Sequence, residues 1–267
     1  MAELLLGRPV ADKIFDEIRR LDKPMRLAVL GFGNPQWQQY VAALQKSAEK
    51  CNVTVENVNA DGKTPEEFCK MVANTSARSD VCGVMIQQPL PKEYECAAEH
   101  IAPNKDIDCI SDPSVAKLYR GTAAFHPATP LAVLQLLDFY GVDLCGKNVV
   151  IVGRGNAVGK PLALMCLKRN ATVTVCHTKT QNLPAVCKKA DVLISACGVA
   201  GLITREFVTE KSIVVDVGLS FVDGKTRGDV AEDVQSVACA VSPVPGGVGP
   251  VTRAALFSNL LQASKLK

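Results

Sequence analysis

Short runs of β-branched and aliphatic residues alternate along the chain with longer segments whose apolar positions recur every three to four residues. The first pattern is typical of buried strands and the second of amphipathic helices, so their alternation indicates parallel sheets covered by helices. In the first half, the pattern predicts strands at 26–31, 52–58 and 82–86 and helices at 9–21, 36–51 and 64–75. The last helix opens with Thr64-Pro65-Glu66-Glu67, which supplies a capping residue, a proline in the first turn and two acids.

The alternation is interrupted after residue 86 and then resumes. Gln87-Gln88-Pro89-Leu90-Pro91 cannot continue a central strand, because proline donates no hydrogen bond to a neighbouring strand. A polar loop at 104–108 and a helix at 130–140 follow. The pattern then predicts strands at 148–153, 171–176, 191–196, 213–217 and 238–242, and helices at 158–169, 183–189, 204–208 and 251–265. Two successive α/β series are therefore expected.

Composition and charge narrow the class of protein. A net charge of +3, without a dense run of basic residues, argues against a nucleic-acid partner. No apolar run reaches the roughly 20 residues that a membrane span needs, so no membrane association is expected. The eleven cysteines include no C-x-x-C pair, and several lie in apolar runs, which favours reduced thiols, no metal site and a cytoplasmic location.

A glycine-rich segment follows the strand predicted at 148–153. The spacing there is G-x-G-x-x-x-G, and the order strand, glycine-rich turn, helix is the one that a dinucleotide-binding fingerprint requires. The alternative is an ordinary turn between a strand and a helix. The candidate cofactor-binding residues are Gly153, Arg154, Gly155, Val158 and Gly159.

The end of the next strand bears on the choice of cofactor. An acid at this position would bind the ribose hydroxyls of NAD, but the chain has Cys176-His177-Thr178-Lys179. A hydroxyl group and a cation, together with Arg154, suit a 2′-phosphate, so NADP is favoured over NAD. We therefore add His177, Thr178 and Lys179 to the candidate cofactor site, while a capping or packing role for His177 stays open.

Further motifs along the chain carry a resemblance to a known family. They are Gln87-Gln88-Pro89-Leu90-Pro91, Lys105-Asp106-Ile107-Asp108, Thr129-Pro130, the glycine-rich 153–161 segment, Asp216-Val217-Gly218, Gly228-Asp229-Val230 and Pro243-Val244-Pro245-Gly246-Gly247-Val248-Gly249-Pro250-Val251-Thr252. In these motifs, and over nearly its whole length, the chain resembles the methylenetetrahydrofolate dehydrogenase/methenyltetrahydrofolate cyclohydrolase family.

The resemblance implies a two-domain α/β fold. A catalytic folate-binding domain would span 1–122, a Rossmann-type dinucleotide-binding domain would span 123–249, and a C-terminal helix, 250–267, would return to the first domain. It also implies a small-molecule folate substrate, NADP as cofactor and a homodimer.

The resemblance also implies roles for individual residues. Tyr40, Gln87 and Asp108 would serve catalysis, with Tyr40 stacking on the folate and Asp108 holding the pterin. Substrate-binding residues would be Tyr40, Asp108, Pro245, Gly246 and Gly247. From the residues alone, other interpretations stay open: core packing for Tyr40, a strand-end amide for Gln87, a turn cap for Asp108 and an ordinary loop for 245–250.

One helix departs from the family pattern S-x-x-Y-x-x-x-K. Trp37 stands at the serine position and Leu44 at the lysine position, while Cys109 replaces a glycine after Asp108 and Ser114 stands where an asparagine is common. Tyr40 and residue 44 are one helical turn apart, so we expect residue 44 to face the folate. Lys46 would point away from that face.

The expected function is NADP-dependent oxidation of methylenetetrahydrofolate to methenyltetrahydrofolate. This oxidation needs positioning rather than a general base, whereas the family's second activity, hydrolysis of the methenyl group, needs proton transfer that Leu44 cannot provide. A catalytically silent homologue that binds folate or nucleotide is the alternative. A Rossmann dehydrogenase for a small keto acid would leave the 105–108 and 245–250 motifs unexplained.

Overall fold

The computed structural model describes residues 1–21 and 23–266. The strands in chain order are β1 (Glu3–Leu4), β2 (Met25–Gly31), β3 (Val53–Asn59), β4 (Gly83–Ile86), β5 (Asn148–Val152), β6 (Thr172–Cys176), β7 (Val192–Ser195), β8 (Ile213–Asp216), β9 (Ser220–Val222), β10 (Lys225–Arg227) and β11 (Ala240–Val241). The α-helices are α1 (Gly7–Arg20), α2 (Pro35–Ala48), α3 (Pro65–Ala77), α4 (Asp112–Tyr119), α5 (Ala128–Phe139), α6 (Gly159–Lys168), α7 (Leu183–Cys187) and α8 (Val248–Lys265). Short 3₁₀ segments lie at Lys92–His100, Arg205–Phe207 and Glu232–Ser236.

The chain folds as two compact units. The six-stranded unit comprises Met1–Asp12 and Thr129–Ala255, and the three-stranded unit comprises Lys13–Ala128 and Leu256–Lys267. The units therefore divide a few residues beyond 122 and 249, and residues 1–12 group with the six-stranded unit. Lys267, the last residue of the helix predicted at 250–267, lies outside the described residues. The two-domain α/β fold class and the C-terminal helix are confirmed.

The three-stranded unit is built on a parallel sheet in the order β3-β2-β4. Leu27 of β2 pairs with Val55 on one side and Gly83 on the other. The core against this sheet includes Phe68 and Val72 of α3, both without exposed surface. The capping expected at Thr64 is present: its Oγ1 accepts a hydrogen bond from the Glu67 N–H at 3.3 Å, and its own N–H donates to Glu67 Oε2 at 2.9 Å.

The six-stranded unit contains a parallel sheet in the order β1-β11-β8-β7-β5-β6. The chain starts this α/β series at β5 and places β6 on one side and β7 on the other. The strand order therefore reverses beside β5, and such a reversal is where open α/β sheets bind ligands.

The hydrophobic pattern located the long elements and missed several short ones. The predicted strands are present, but the helix expected at 204–208 is the 3₁₀ turn Arg205–Phe207. The unpredicted elements are β1, the β9–β10 hairpin, α4 and the 3₁₀ segments Lys92–His100 and Glu232–Ser236. Over the described ranges, no helix is long and apolar enough to cross a membrane.

Candidate functional site

Gln87 joins the carboxyl ends of two strands in the three-stranded unit. It follows β4 directly, and its Oε1 accepts a hydrogen bond from the N–H of Phe32, which follows β2, at 2.8 Å. The expected strand-end amide contact is therefore present. This hydrogen bond fixes Oε1 of the half-buried side chain. The Nε2 group is therefore the part of Gln87 that can donate a hydrogen bond to a ligand.

The first two charged residues of the Lys105-Asp106-Ile107-Asp108 motif support the fold. Lys105 Nζ donates to the carbonyl oxygens of Ser76 and Arg78, both at 2.6 Å, at the end of α3. Asp106 is buried and accepts hydrogen bonds from the N–H groups of Ile110 and Ser111 and from the Ser111 hydroxyl. Buried charges need such partners, so these two residues are occupied by the fold.

Asp108 keeps part of its carboxylate available. Its Oδ1 accepts a hydrogen bond from the N–H of Ala128, the first residue of α5, at 3.0 Å. No side chain or backbone group within the described ranges pairs with Oδ2. The pKa of Asp108 is raised to about 6. Burial is the main cause and the charge of Asp106 adds to it, while the hydrogen bond from the Ala128 N–H acts in the opposite direction. Asp108 is half-buried and thus combines the capping contact with a second oxygen that can accept a hydrogen bond from a ligand.

In the six-stranded unit, the three glycines of the turn after β5 meet different surroundings. Gly153 has a φ of +123°, and a Cβ there would lie 2.3 Å from the carbonyl oxygen of Ala196, so this position requires glycine. A Cβ on Gly159 would lie 2.1 Å from the carbonyl oxygen of Gly153. A Cβ on Gly155 would meet nothing within 4 Å. The turn is therefore tightly packed at both ends and open at Gly155, as approach of a pyrophosphate requires.

The other candidate cofactor residues lie at the carboxyl ends of β5 and β6. Arg154, Thr178 and Lys179 are exposed, and Val158 immediately precedes α6. His177 Nδ1 accepts a hydrogen bond from the Lys179 N–H at 3.1 Å, which supports the turn after β6. Because β5 and β6 are adjacent and parallel, these side chains start from one edge of the sheet.

Asp216 and Asp229 organise the same edge, although sequence reasoning gave them no role. Asp229 is buried and accepts hydrogen bonds from the Ser195 hydroxyl and from the N–H groups of Cys197 and Val199, which holds the loop after β7. That loop begins with Ala196, the residue against which Gly153 packs.

The two short motifs that contain these acids interlock. A Cβ on Gly218 would lie 2.0 Å from Asp229 Cγ, and a Cβ on Gly228 would lie 2.0 Å from Asp216 Oδ2. Each glycine therefore makes room for the carboxylate of the other motif. Burial raises the pKa of Asp216 to about 6, while the N–H groups of Val230, Asp229 and Gly218 lower it. The sequence signal for this arrangement was a glycine close to each acid: Gly218 lies two residues after Asp216, and Gly228 lies directly before Asp229.

The Pro245-Gly246-Gly247 segment also lies in the six-stranded unit, where it contacts the start of α1. The Gly7 N–H donates to the Gly246 carbonyl at 2.8 Å, and a Cβ on Gly7 would lie 1.8 Å from the Gly247 carbonyl oxygen. A Cβ on Gly247 would lie 2.7 Å from the Pro243 carbonyl oxygen. Close packing of backbone on backbone accounts for Gly7 and Gly247. Gly246 has a φ of +112° and room for a Cβ, and Pro245 is exposed.

Comparisons with known proteins agree with both units. The family model described as "Tetrahydrofolate dehydrogenase/cyclohydrolase, catalytic domain" matches residues 5–108, and the model for the family's NAD(P)-binding domain matches residues 127–267. The chain belongs to the tetrahydrofolate dehydrogenase/cyclohydrolase family. Within the described ranges, no group of three or more His, Cys, Asp and Glu side chains could hold a metal ion.

Several members of the family resemble this chain throughout. The bifunctional protein FolD of Clostridium acetobutylicum is 39% identical over 278 residues, which cover 99% of this chain and 100% of that protein. The crystal structure of the bifunctional FolD enzyme from Campylobacter jejuni matches with a TM-score of 0.94 and 36% identity, over 100% of this chain and 99% of that one. The Trypanosoma brucei enzyme, crystallised with NADP cofactor and an inhibitor, matches with a TM-score of 0.91 and 31% identity, over 99% and 98%.

Helix α2 carries the largest departure from the family pattern. Its buried residues Trp37, Val41, Leu44 and Ala48 form one stripe, and Leu44 has an exposed fraction of 0%. The expectation that residue 44 faces an open site was therefore wrong, because it belongs to the stripe that packs into the interior. Tyr40 lies beside the stripe, half-buried, and its ring stacks on that of Trp37 with centroids 5.9 Å apart. Lys46 is exposed, away from the stripe.

Trp37 fills space next to Gln87. A Cβ on Gly31 would lie 2.7 Å from Trp37 Nε1 and 2.7 Å from Gln87 Oε1, so both side chains crowd the end of β2. Among the residues that the structure describes, the buried indole Nε1 has no hydrogen-bond partner. A family serine at this position would occupy much less volume, so the tryptophan and the buried leucine change the site together.

Cys109 occupies a backbone conformation that favours glycine. Its φ is +56°, in the left-handed region, and its side chain is buried. The family glycine at this position has a physical reason, and the cysteine retains the turn at the cost of strain. Ser114 is also buried, and its hydroxyl oxygen lies 3.1 Å from that of Ser111.

Proposed function

We propose that this chain oxidises methylenetetrahydrofolate with NADP, that its folate site is formed by Tyr40, Gln87 and Asp108, and that it hydrolyses methenyltetrahydrofolate poorly. The dehydrogenase activity and the cofactor follow from the family and from the glycine-rich turn after β5. The observation that carries the loss of hydrolysis is the complete burial of Leu44 at the position of the family lysine.

Folate binding would rest on the carboxyl edge of the β3-β2-β4 sheet. Asp108 Oδ2 would accept a hydrogen bond from the pterin, the half-buried ring of Tyr40 would stack on it, and Gln87 Nε2 would donate to it. Pro245, Gly246 and Gly247 lie in the six-stranded unit, and their substrate-binding role stays a prediction from the family resemblance. These residues bind and orient the substrate rather than move protons.

NADP would be held by the turn at Gly153, Gly155 and Gly159, with Arg154, Thr178 and Lys179 available for the 2′-phosphate. The Trypanosoma brucei relative was crystallised with this cofactor. When bound, NADP supplies the hydride acceptor. The methylene carbon lies between two nitrogens whose lone pairs stabilise the resulting cation, so the chain needs to position the substrate and has no need of a general base.

Hydrolysis of that cation makes different demands. Water must be delivered and protons transferred, for which the family pattern provides a lysine. Leu44 has no exposed surface and no ionisable group, and Trp37 fills the volume at the end of β2 beside Gln87. Neither side chain can deliver water or take up the proton that hydrolysis releases.

The direct test measures both activities separately. Reduction of NADP and of NAD is followed with methylenetetrahydrofolate, and decay of added methenyltetrahydrofolate is compared with its decay in buffer. We expect turnover with NADP and methenyl decay within a few-fold of the buffer rate. Absence of turnover with both cofactors would support the silent homologue, and rapid methenyl decay would contradict the loss of hydrolysis.

A pair of substitutions tests the physical reason. Leu44→Lys alone buries an ammonium group in the α2 stripe and should lower the thermal midpoint without adding hydrolysis. Combined with Trp37→Ser, which opens space beside Gln87, it should raise methenyl hydrolysis by about tenfold or more. Trp37→Ser alone is the matched control, and equal hydrolysis by the single and double variants would show that residue 44 is not the cause.

The homodimer and the cytoplasmic location also stay predictions. All the cysteines are free thiols, which is compatible with a reducing compartment. Sedimentation velocity of the full chain tests the dimer.

A further inference from the structure

Two cysteines meet on the outside of the three-stranded unit, away from the residues assigned above. Cys69 of α3 and Cys96 of the 3₁₀ segment Lys92–His100 have Sγ atoms 3.3 Å apart. Cys96 is exposed, and Cys69 is buried with an exposed fraction of 8%. A disulfide has an S–S length of about 2.0 Å, so the two sulfurs need to approach by only about 1.3 Å to form one.

A surface cavity gives access to both sulfurs. It measures about 470 Å³, and Cys69 and Cys96 line it together with Lys70 and His100. A volume of this size admits a small organic molecule. Lys70 supplies one positive charge and Glu66 one negative charge, so the lining does not select a molecule of either charge.

We propose that Cys69 and Cys96 form a reversible dithiol–disulfide site that reacts with a low-molecular-weight disulfide. The thiolate of the exposed Cys96 attacks the small disulfide, which forms a mixed disulfide and releases one thiol. Cys69 then loses its proton to solvent and attacks Cys96 Sγ, which forms the intramolecular disulfide and releases the second thiol. Two protein thiols are oxidised and one small disulfide is reduced to two thiols, so electrons and protons balance.

The order of attack follows from the surroundings of the two thiols. Burial and the neighbouring Cys96 raise the pKa of Cys69 to about 11, so Cys69 is the poorer attacking thiol in the first step. Cys96 is the accessible member of the pair. Because the product disulfide would line a surface cavity, reducing thiols can reach it and reverse the reaction.

The disulfide would connect two segments that support the end of β2. Phe68 precedes Cys69, and Tyr94 lies two residues before Cys96. Their rings lie 5.4 Å and 5.0 Å from that of Phe32, whose N–H holds Gln87. Oxidation would therefore restrain the aromatic cluster Phe32, Phe68 and Tyr94 and raise its resistance to unfolding.

Peptide mapping tests the linkage directly. The reduced full chain is treated with oxidised glutathione, alkylated and digested with trypsin, which places Cys69 in peptide 64–70 and Cys96 in peptide 93–105, each with a single cysteine. We expect the two peptides joined, two hydrogens lighter than their sum, and separated again by dithiothreitol. Stable glutathione adducts without the joined product, or no faster reaction than at the exposed Cys145, would overturn the proposal.

Variants separate the two steps. Cys69→Ser should accumulate the glutathione adduct on Cys96, because the resolving thiol is absent, while Cys145→Ser should behave like the wild type. Oxidation should raise the thermal midpoint of the wild type by on the order of 5–10 °C and leave that of Cys96→Ser unchanged. Because Cys96 is exposed, Cys96→Ser should fold normally, and the test stays valid even where the buried substitution Cys69→Ser lowers stability. An equal shift in Cys96→Ser would contradict the linkage.

Discussion

At the scale of single residues, hydrogen-bond partners separate the acids that support the fold from the one available to a ligand. Asp106 and Asp229 each accept at least three hydrogen bonds from nearby backbone and hydroxyl groups. Asp108 accepts one, from Ala128, and retains an oxygen without a partner in the described part of the chain. The motif therefore contains a structural acid, Asp106, and two residues later an acid, Asp108, with an oxygen available to a ligand.

The raised pKa of Asp108 predicts opposite effects on stability and on binding. Its folded-state pKa, about 6, lies above the ordinary 3.8, so ionisation costs stability as pH rises from about 4 to about 6 and the cost is fully present above that range. Asp108→Asn should thus raise the free energy of unfolding at pH 7.5 by on the order of 1–3 kcal/mol, with no gain near pH 3.5. Urea denaturation at both pH values measures this.

Asp108→Asn should also bind folate far more weakly, because an amide has only one oxygen that can accept a hydrogen bond and cannot replace the carboxylate. Calorimetry should show NADP affinity unchanged. In the wild type, folate affinity should fall as pH drops through about 6, because protonation removes the charge. A variant that loses stability at neutral pH, with folate affinity intact, would leave Asp108 with the capping role alone.

We propose that Arg154 favours NADP over NAD. It is exposed in the turn after β5, where a 2′-phosphate would be bound. Arg154→Ala should raise the KM for NADP by roughly 10- to 100-fold, equivalent to about 1.5–3 kcal/mol, and should change the KM for NAD little. Lys147→Ala, at the opposite end of β5, is the matched loss of charge and should change neither. Equal effects of Arg154→Ala on both cofactors would exclude it from the 2′-phosphate site.

At the scale of secondary-structure elements, the glycine-rich turn and the loop after β7 form one packed arrangement. The interlocked Asp216 and Asp229 motifs hold this loop, and its first carbonyl, at Ala196, packs on Gly153. The turn therefore depends on β8 and on the chain after β10 as well as on its own sequence. This explains why a glycine pattern alone is weak evidence for a nucleotide site.

Two substitutions in the turn should separate packing from binding. Gly153→Ala places a Cβ 2.3 Å from the Ala196 carbonyl oxygen at a positive φ and should cost more than about 3 kcal/mol of stability. Gly155→Ala has open space and should keep its thermal midpoint within a few degrees while weakening NADP binding. Thermal melts and NADP titrations measure both effects, and full NADP affinity in Gly155→Ala would place the pyrophosphate elsewhere.

At the scale of the whole molecule, distant parts of the chain complete the three-stranded unit. Asn259 of α8 has an exposed fraction of 2%, and its Nδ2 donates to the carbonyl oxygens of Ile107 at 2.8 Å and His126 at 2.7 Å. One amide thus connects the C-terminal helix to the residue before Asp108 and to a residue near the start of α5.

Removal of that amide should affect the folate site through the backbone. Asn259→Ala leaves two carbonyl oxygens without this donor, which should cost about 2–4 kcal/mol, and should lower folate affinity more than NADP affinity. The exposed Gln262→Ala on the same helix is the control. Chemical denaturation and ligand titrations test this, and unchanged stability in Asn259→Ala would contradict it.

The sequence by itself determined the α/β fold class, the positions of the long strands and helices, the family and the nature of the cofactor. These features depend on local periodicity and on short motifs with a fixed order, and both can be read along the chain. It also identified Asp108 as a ligand-binding candidate, without showing that Lys105 and Asp106 beside it are used by the fold.

Only the tertiary structure decided where residue 44 lies. The spacing placed residue 44 on the same side of the helix as Tyr40. Spacing alone does not say which side of a helix is buried. Packing puts the stripe of Trp37 and Leu44 inside and Tyr40 at its margin. The contacts of Asp216 with Asp229 and of Cys69 with Cys96 are likewise between residues far apart in sequence, so no local pattern could predict them.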